Sequence, residues 1–239
     1  IAERMNAQIK GFDVASRNAN DGISMLQVAD GALGKVSDNL QRMRELAVQS
    51  KNGTLNTTDR ANLDREYQSL ASEVDRIATG TQFNGNSVFS AANKSLSLQI
   101  GTGNAATDTL AVNLTDNGAS GGNDLQTALK GAAASITAAF GDVTTTGTAT
   151  TSITTIDKAI DTITNVRATV GAGQSRLDQV VSFLDTSSTN LSAARGRIMD
   201  ADFAKETANL TRSQILQQAG TAMLSQANQL PNSVLSLLK

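Results

Sequence analysis

Apolar residues recur along this chain in a strict step of seven. Met5, Phe12, Ala19, Leu26, Leu33, Leu40 and Ala47 form one row, with Ile9, Ile23, Val36 and Met43 beside it. Leu63, Tyr67, Leu70, Val74 and Ile77 alternate steps of four and three. Ile156, Ile163, Val170, Leu177, Leu184, Leu191 and Ile198 resume the seven, flanked by Ile153, Ile160 and Val181. A seven-residue step held this long marks long helices packed side by side with slight supercoiling. The row Ile156–Ile198 would extend about 63 Å at 1.5 Å per residue, which predicts a rod.

Residues 80–150 break the pattern. They hold ten of the 19 glycines and only two basic residues, Lys94 and Lys130. Ser95–Ile100 and Thr109–Leu114 alternate apolar and polar residues around a Gly/Asn-rich turn, Gly101–Thr107, and predict a β-hairpin with one buried face. Leu125–Phe140 is Ala-rich and reads as a short helix. Asn52–Gly53 reads as the end of the first helix, with Gly53 in a left-handed conformation. Thr58 or Asp59 reads as the cap of the second, and Thr79–Gly80 as its close. Gly171 and Gly173 leave the long register intact, so they read as places of close helix approach.

The fold class predicted is therefore mainly α, a long antiparallel coiled-coil-like helical rod with a small β-hairpin and loop-rich central insert. The divisions are 1–90 for the N-terminal rod helices and the following turn, 91–150 for the hairpin and variable insert, 151–200 for the C-terminal rod helix, and 201–239 for a terminal amphipathic helix. In that last segment Leu216, Met223, Leu230 and Leu237 form a further row, broadened by Phe203, Leu210, Ile215, Leu224, Val234, Leu235 and Leu238. The row has no evident mate within the chain, so it is a candidate for packing between molecules. Pro231 predicts a kink or turn there.

Composition narrows the chemistry. The chain has no His, no Cys, no Trp, one Pro, one Tyr and six Phe. Histidine-based triads, thiolate nucleophiles, disulfides and Cys or His metal sites are therefore excluded. The net charge of −2 gives no drive towards nucleic acid or anionic membranes. No apolar run approaches the ~18 residues of a membrane span. No basic region followed by an apolar stretch opens the chain, so no secretory signal is visible. The first residue is Ile1 rather than Met, which reads as a fragment or processed protein.

The remaining motifs carry little. Gly101–Thr102–Gly103 lacks the third glycine and the strand–helix setting of a nucleotide site. Asp200 and Asp202 have no further acidic ligand at calcium-loop spacing. Glu66, Glu73 and Asp75 read as solvated charge, and Tyr67 as core. The sequon Asn56–Thr57–Thr58 is expected by chance in a chain so rich in Asn and Thr. No catalytic residue, cofactor site or metal site is predicted. One patch stands out: Arg42, Arg44 and Glu45 beside the apolar rows, with Leu46 expected to point away from those rows, which on physics alone reads first as an ordinary singly exposed Leu and second as an anchor at a protein interface.

Several stretches resemble bacterial flagellins. These are Ser16–Arg17–Asn18–Ala19–Asn20–Asp21–Gly22–Ile23–Ser24; Asn39–Leu40–Gln41–Arg42–Met43–Arg44–Glu45–Leu46–Ala47–Val48–Gln49–Ser50; Thr81–Gln82–Phe83–Asn84–Gly85; Ala194–Arg195–Gly196–Arg197–Ile198 with Asp200–Ala201–Asp202–Phe203–Ala204; and Gln226–Ala227–Asn228–Gln229–Leu230–Pro231. The resemblance covers about residues 1–90 and 150–239, with the family's further N-terminal helix absent before Ile1. It implies a structural subunit, secreted without a cleaved signal, that polymerises with itself into the bacterial flagellar filament for motility. It implies Leu216, Met223, Leu230 and Leu237 as polymer contacts and an export chaperone as partner of the C-terminal helix. It also implies that Gln41, Arg42, Leu46 and Glu66 meet the vertebrate Toll-like receptor for flagellin. The alternative weighed against it is a flagellin-like surface adhesin that binds polysaccharide or surface glycans through the Asn/Thr/Gly-rich middle. A hook-associated junction protein and a metalloprotease grafted into the insert were weaker still, the latter lacking any His.

Overall fold

The computed structural model describes residues 1–89, 95–114, 136–199 and 203–236. The helices are α1 (Ala2–Ser50), α2 (Thr57–Gly80), α3 (Ile136–Phe140), α4 (Thr146–Met199) and α5 (Phe203–Ser236). Strands β1 (Gln82–Phe83) and β2 (Asn86–Ser87) form one antiparallel pair, and β3 (Ser95–Gln99) and β4 (Thr109–Asn113) another. The molecule is mainly α, as its periodicity predicts. It divides into a larger unit, Ala7–Asn190, and a smaller one made of Ile1–Asn6 and Leu191–Lys239.

In the larger unit the seven-residue rows are the core. Ala19, Leu26, Leu33, Leu40 and Ala47 of α1 are fully buried, and so are Ile156, Ile163, Val170, Leu177 and Leu184 of α4. Tyr67, Ala71, Val74 and Ala78 bury the inner face of α2. Towards the outer ends the rows loosen: Phe12 is half-buried, and in the smaller unit Met5 and Leu191 are half-buried while Ile198 is exposed. Two ion pairs report direction and register. Arg44 meets Asp157 at 2.6 Å and Arg167 meets Asp30 at 2.8 Å. As the chain advances from Asp30 to Arg44, its α4 partner retreats from Arg167 to Asp157, so the two helices run antiparallel.

The β3–β4 hairpin forms as expected, with Leu98 opposite Leu110 and Leu96 opposite Val112. It docks where two glycines clear the way. A Cβ on Gly22 of α1 would collide with Leu98 and approach Leu177 to 3.3 Å. A Cβ on Gly173 of α4 would lie 2.7 Å from Val112 and 3.3 Å from Leu26. Each helix thus offers a notch to one strand and to the other helix. Gly173 is a place of close helix approach as expected and admits a strand as well, whereas Gly171 faces open space, which corrects its reading as a helix-approach point. The hairpin turn closes on Asp108, whose carboxylate fills the space beside Gly101 and Gly103.

Local signals resolve with some changes. The cap of α2 is Asn56, not Thr58 or Asp59: its side chain accepts from the Asp59 amide at 2.8 Å, and Asp59 accepts in return from the Asn56 amide at 3.3 Å. This reciprocal pair satisfies two otherwise unpaired donors. Gly53 does not take a left-handed conformation; among the described residues only Asn84, Gly85 and Gly141 have positive φ. Helix α1 ends at Ser50 instead because Arg60 collects the carbonyls that follow. Its guanidinium donates to the carbonyls of Ser50 at 2.7 Å, Asn52 at 2.9 Å and Leu55 at 3.1 Å. Asn84 (φ 49°) and Gly85 (φ 78°) make the two-residue turn joining β1 to β2. Both central residues with positive φ match the twist that short hairpins need.

The short stretch from Phe140 to Val143 is held from three helices. The Tyr67 hydroxyl of α2 and the Ser152 hydroxyl of α4 both donate to the Phe140 carbonyl at 2.9 Å. Gln68 donates to the Gly141 carbonyl at 2.8 Å, Asp64 accepts from the Val143 amide at 3.0 Å, and the Ser50 hydroxyl of α1 donates to the Val143 carbonyl. Of the helix expected over Leu125–Phe140, α3 supplies the last turn; the earlier part lies outside the described residues.

Candidate functional site

Two surfaces carry the residues singled out from the sequence, one in each unit. On the larger unit, Arg42 projects from α1 towards α2. It donates through Nε to Glu66 Oε1 at 2.9 Å and through Nη1 to Glu45 Oε2 at 2.9 Å. Its side chain and that of Glu66 both remain about half exposed, at 50% and 47%. The hydrogen bonds to Glu66, then Glu45, raise the guanidinium further above its ordinary value. Gln41 lies beside it, exposed, with its amide donating to Ser37 Oγ at 3.4 Å. The structure thus pairs Arg42 with Glu66 on one accessible surface, while Gln41, the preceding residue, is exposed in a groove with Arg44, Glu45 and Val48.

Leu46 does not join them as an anchor. It is 1% exposed and belongs to the hydrophobic core, which corrects the expectation that it points away from the apolar rows. It lies one helical turn after Arg42 and one before Ser50. That turn is covered from several sides: Arg42 pairs with α2, Arg44 pairs with α4, and Ser50 is tied to Val143. A helix flanked this way buries a wider face than one two-helix seam. The apolar residue standing outward here is Val48, 50% exposed, in a shallow groove with Gln41, Arg44, Glu45 and Gln49. Sequence reading passed over Val48, although its position off the seven-residue rows was the available signal.

The smaller unit presents a different surface. Along α5, Leu210, Ile215, Leu216, Met223 and Leu224 are each more than half exposed, Met223 most of all at 71%. Leu216 and Met223 keep the seven-residue spacing. The side chain of Leu230, and Leu237 altogether, lie outside the described residues, as do Asp200 and Asp202. The backbone of α5 continues as helix through Pro231, so no turn forms there. Within this unit Arg195 also donates to Asn6 Oδ1 at 2.7 Å.

Among the described residues no group of His, Cys, Asp and Glu could hold a metal ion, and no helix is long and apolar enough to cross a membrane. Long antiparallel helices, small hairpins and a helix with exposed apolar side chains define a mainly helical protein. Comparison with known proteins makes this specific. Family models for the bacterial flagellin N-terminal and C-terminal helical regions match residues 1–94 and 153–238. A flagellin of Halalkalibacterium halodurans is 43% identical over 239 residues, covering 100% of this chain and 83% of the relative. One of Bacillus subtilis is 39% identical over 264 residues, covering 100% and 84%. The crystal structure of Bacillus cereus flagellin superposes with a TM-score of 0.58 at 36% identity, covering 75% of this chain and 94% of that one. The chain belongs to the flagellin family. It is a structural protein of the flagellar filament, which self-assembles outside the cell, and not an enzyme.

Proposed function

We propose that this chain enters the filament through the apolar face of α5, with Leu216 and Met223 at the contact and Leu230 and Leu237 continuing it. The supporting observation is the run of exposed Leu, Ile and Met side chains on one helix of the smaller unit. Burying such a side chain is worth about 1.5–3 kcal/mol, so a neighbour that covers several supplies a driving force for assembly. An export chaperone that recognises apolar helices would cover the same face before assembly. The test is seeded elongation of full-length chain on filament fragments, followed by light scattering. Leu216→Asp should abolish growth; growth at the wild-type rate would refute the assignment.

The Gln41–Arg42–Glu66 surface is the reading for recognition by the vertebrate Toll-like receptor for flagellin. Its support is accessibility: Arg42 and Glu66 are half exposed and already oriented by their mutual hydrogen bonds. Leu46 would serve this surface from beneath, by packing, rather than by touching the receptor. In a binding assay Arg42→Ala should weaken affinity without loss of fold. An unchanged affinity would remove this role.

A further inference from the structure

The side chains that two-electron oxidants attack most readily are sulfur-bearing or electron-rich: Cys, Met, Trp, His and Tyr. This chain has no Cys, Trp or His, and its lone tyrosine is fully buried. The five methionines are what remains. Met43 is 0% exposed and Met25 7%, and Met5 is half-buried. Met199 and Met223 stand out at 61% and 71%. Oxidative chemistry on the folded chain is thereby funnelled onto two thioethers, both in the smaller unit. One of them, Met223, lies on the exposed apolar face of α5, seven residues from Leu216.

We propose that Met223 is a redox-sensitive modification site that switches off the assembly face of the free subunit. This rests on the reading of α5 as the polymer contact. The oxidant class is a hydroperoxide. The Met223 sulfur lone pair attacks the O–H oxygen of the peroxide, the O–O bond breaks, and the departing oxygen takes up the proton that the transferred oxygen gives up, leaving as an alcohol, or as water when the oxidant is hydrogen peroxide. Sulfur is oxidised by two electrons to the sulfoxide and the peroxide is reduced. The product replaces a flexible apolar side chain with a strongly polar one. On a face that must be covered by a second copy, the sulfoxide oxygen loses water without gaining a donor, which opposes burial. Once assembled, the same coverage shields the sulfur, so free subunits are sensitive and filaments resistant.

The experiment treats full-length subunit with hydrogen peroxide, maps added oxygen by peptide mass spectrometry, and then measures seeded elongation. Oxygen should appear at Met199 and Met223 before Met25 and Met43. Treated wild type should elongate at least about tenfold more slowly. Treated Met223→Leu, a volume-conserving swap, should keep its untreated rate, whereas treated Met199→Leu should still slow. Methionine sulfoxide reductase should restore growth of the treated wild type. Normal growth of treated wild type with Met223 oxidised, or slowing of treated Met223→Leu, would overturn the proposal. Untreated Leu216→Asp separates the two ideas. If it elongates normally, the α5 contact itself is wrong. If it fails while oxidised wild type elongates normally, only the redox inference falls.

Discussion

Tyr67 concentrates several constraints in one side chain. It is fully buried, its hydroxyl donates to the Phe140 carbonyl, and burial pushes its pKa up to about 12, with Asp64 and Asp142 adding to the rise against a lowering hydrogen bond from Ser152. An exposed phenol titrates near 10. The neutral form is the one the fold stabilises, so that contribution is complete below about pH 10 and is lost as pH rises from about 10 to about 12. Because the chain has one tyrosine and no tryptophan, its ultraviolet phenolate signal reports Tyr67 alone. The native signal should titrate near 12, with unfolding setting in above pH 10; a midpoint near 10 in the folded chain would contradict this burial. Asp142 acts at the other end of the scale. The Thr144 hydroxyl and amide hold its carboxylate below the ordinary value. Its contribution is present above that ordinary value and is lost as pH falls through the lowered one. Arg60 illustrates a role that charge alone does not describe. Arg60→Ala would remove a donor from three carbonyls, of which Asn52 keeps the Leu55 amide, and should cost about 2–4 kcal/mol in denaturant unfolding. Arg60→Lys should recover only part, since an ammonium cannot reproduce the planar fork.

At the scale of elements, the caps, notches and ion pairs rank clearly. Asn56→Ala should destabilise α2 by about 1 kcal/mol by thermal unfolding, the usual loss for a side-chain cap. Gly22→Val or Gly173→Val should displace the β3–β4 hairpin, because the added carbons meet Leu98 and Val112. Faster amide exchange confined to β3 and β4 would be the sign; unchanged exchange there would contradict the notch. Arg44→Ala should leave thermal unfolding almost unchanged, since Arg44 and Asp157 are half exposed and water screens their attraction. The seven-residue rows made α1 and α4 legible because each has one dominant long neighbour. Leu46 was misread because three elements meet at that turn, and a two-helix period cannot express a third neighbour. The α2 cap was read two residues late because Asn56, Thr57, Thr58 and Asp59 all offer cap chemistry, and only backbone conformation selects among them. Arg60 was passed over since its carbonyl partners are main chain, which leaves no mark in the sequence.

For the whole molecule, the division into two units separates the long buried core from the exposed apolar side chains of α5. The core of the larger unit is made by residues within Ala7–Asn190, whereas the exposed apolar face of α5 belongs to the smaller unit. Leu216→Asp should therefore leave the thermal unfolding of the larger unit within about 0.5 kcal/mol of wild type while abolishing elongation. The motifs at both ends made the family legible. The two-unit division was not, because the row from Ile156 to Ile198 continues without a break across Asn190. The stretch Phe140–Val143 has one more consequence. Leu114 is buried where β4 hands over to the central segment, and Phe140 and Val143 are buried where that segment returns, bound from α1, α2 and α4. Both borders are clamped independently of what lies between them. Lengthening a closed segment costs only about 0.6 kcal/mol for each doubling. An insertion made between these two borders would leave the buried anchors on either side unchanged, so the larger unit should keep its thermal unfolding near wild type whatever the length of the added segment.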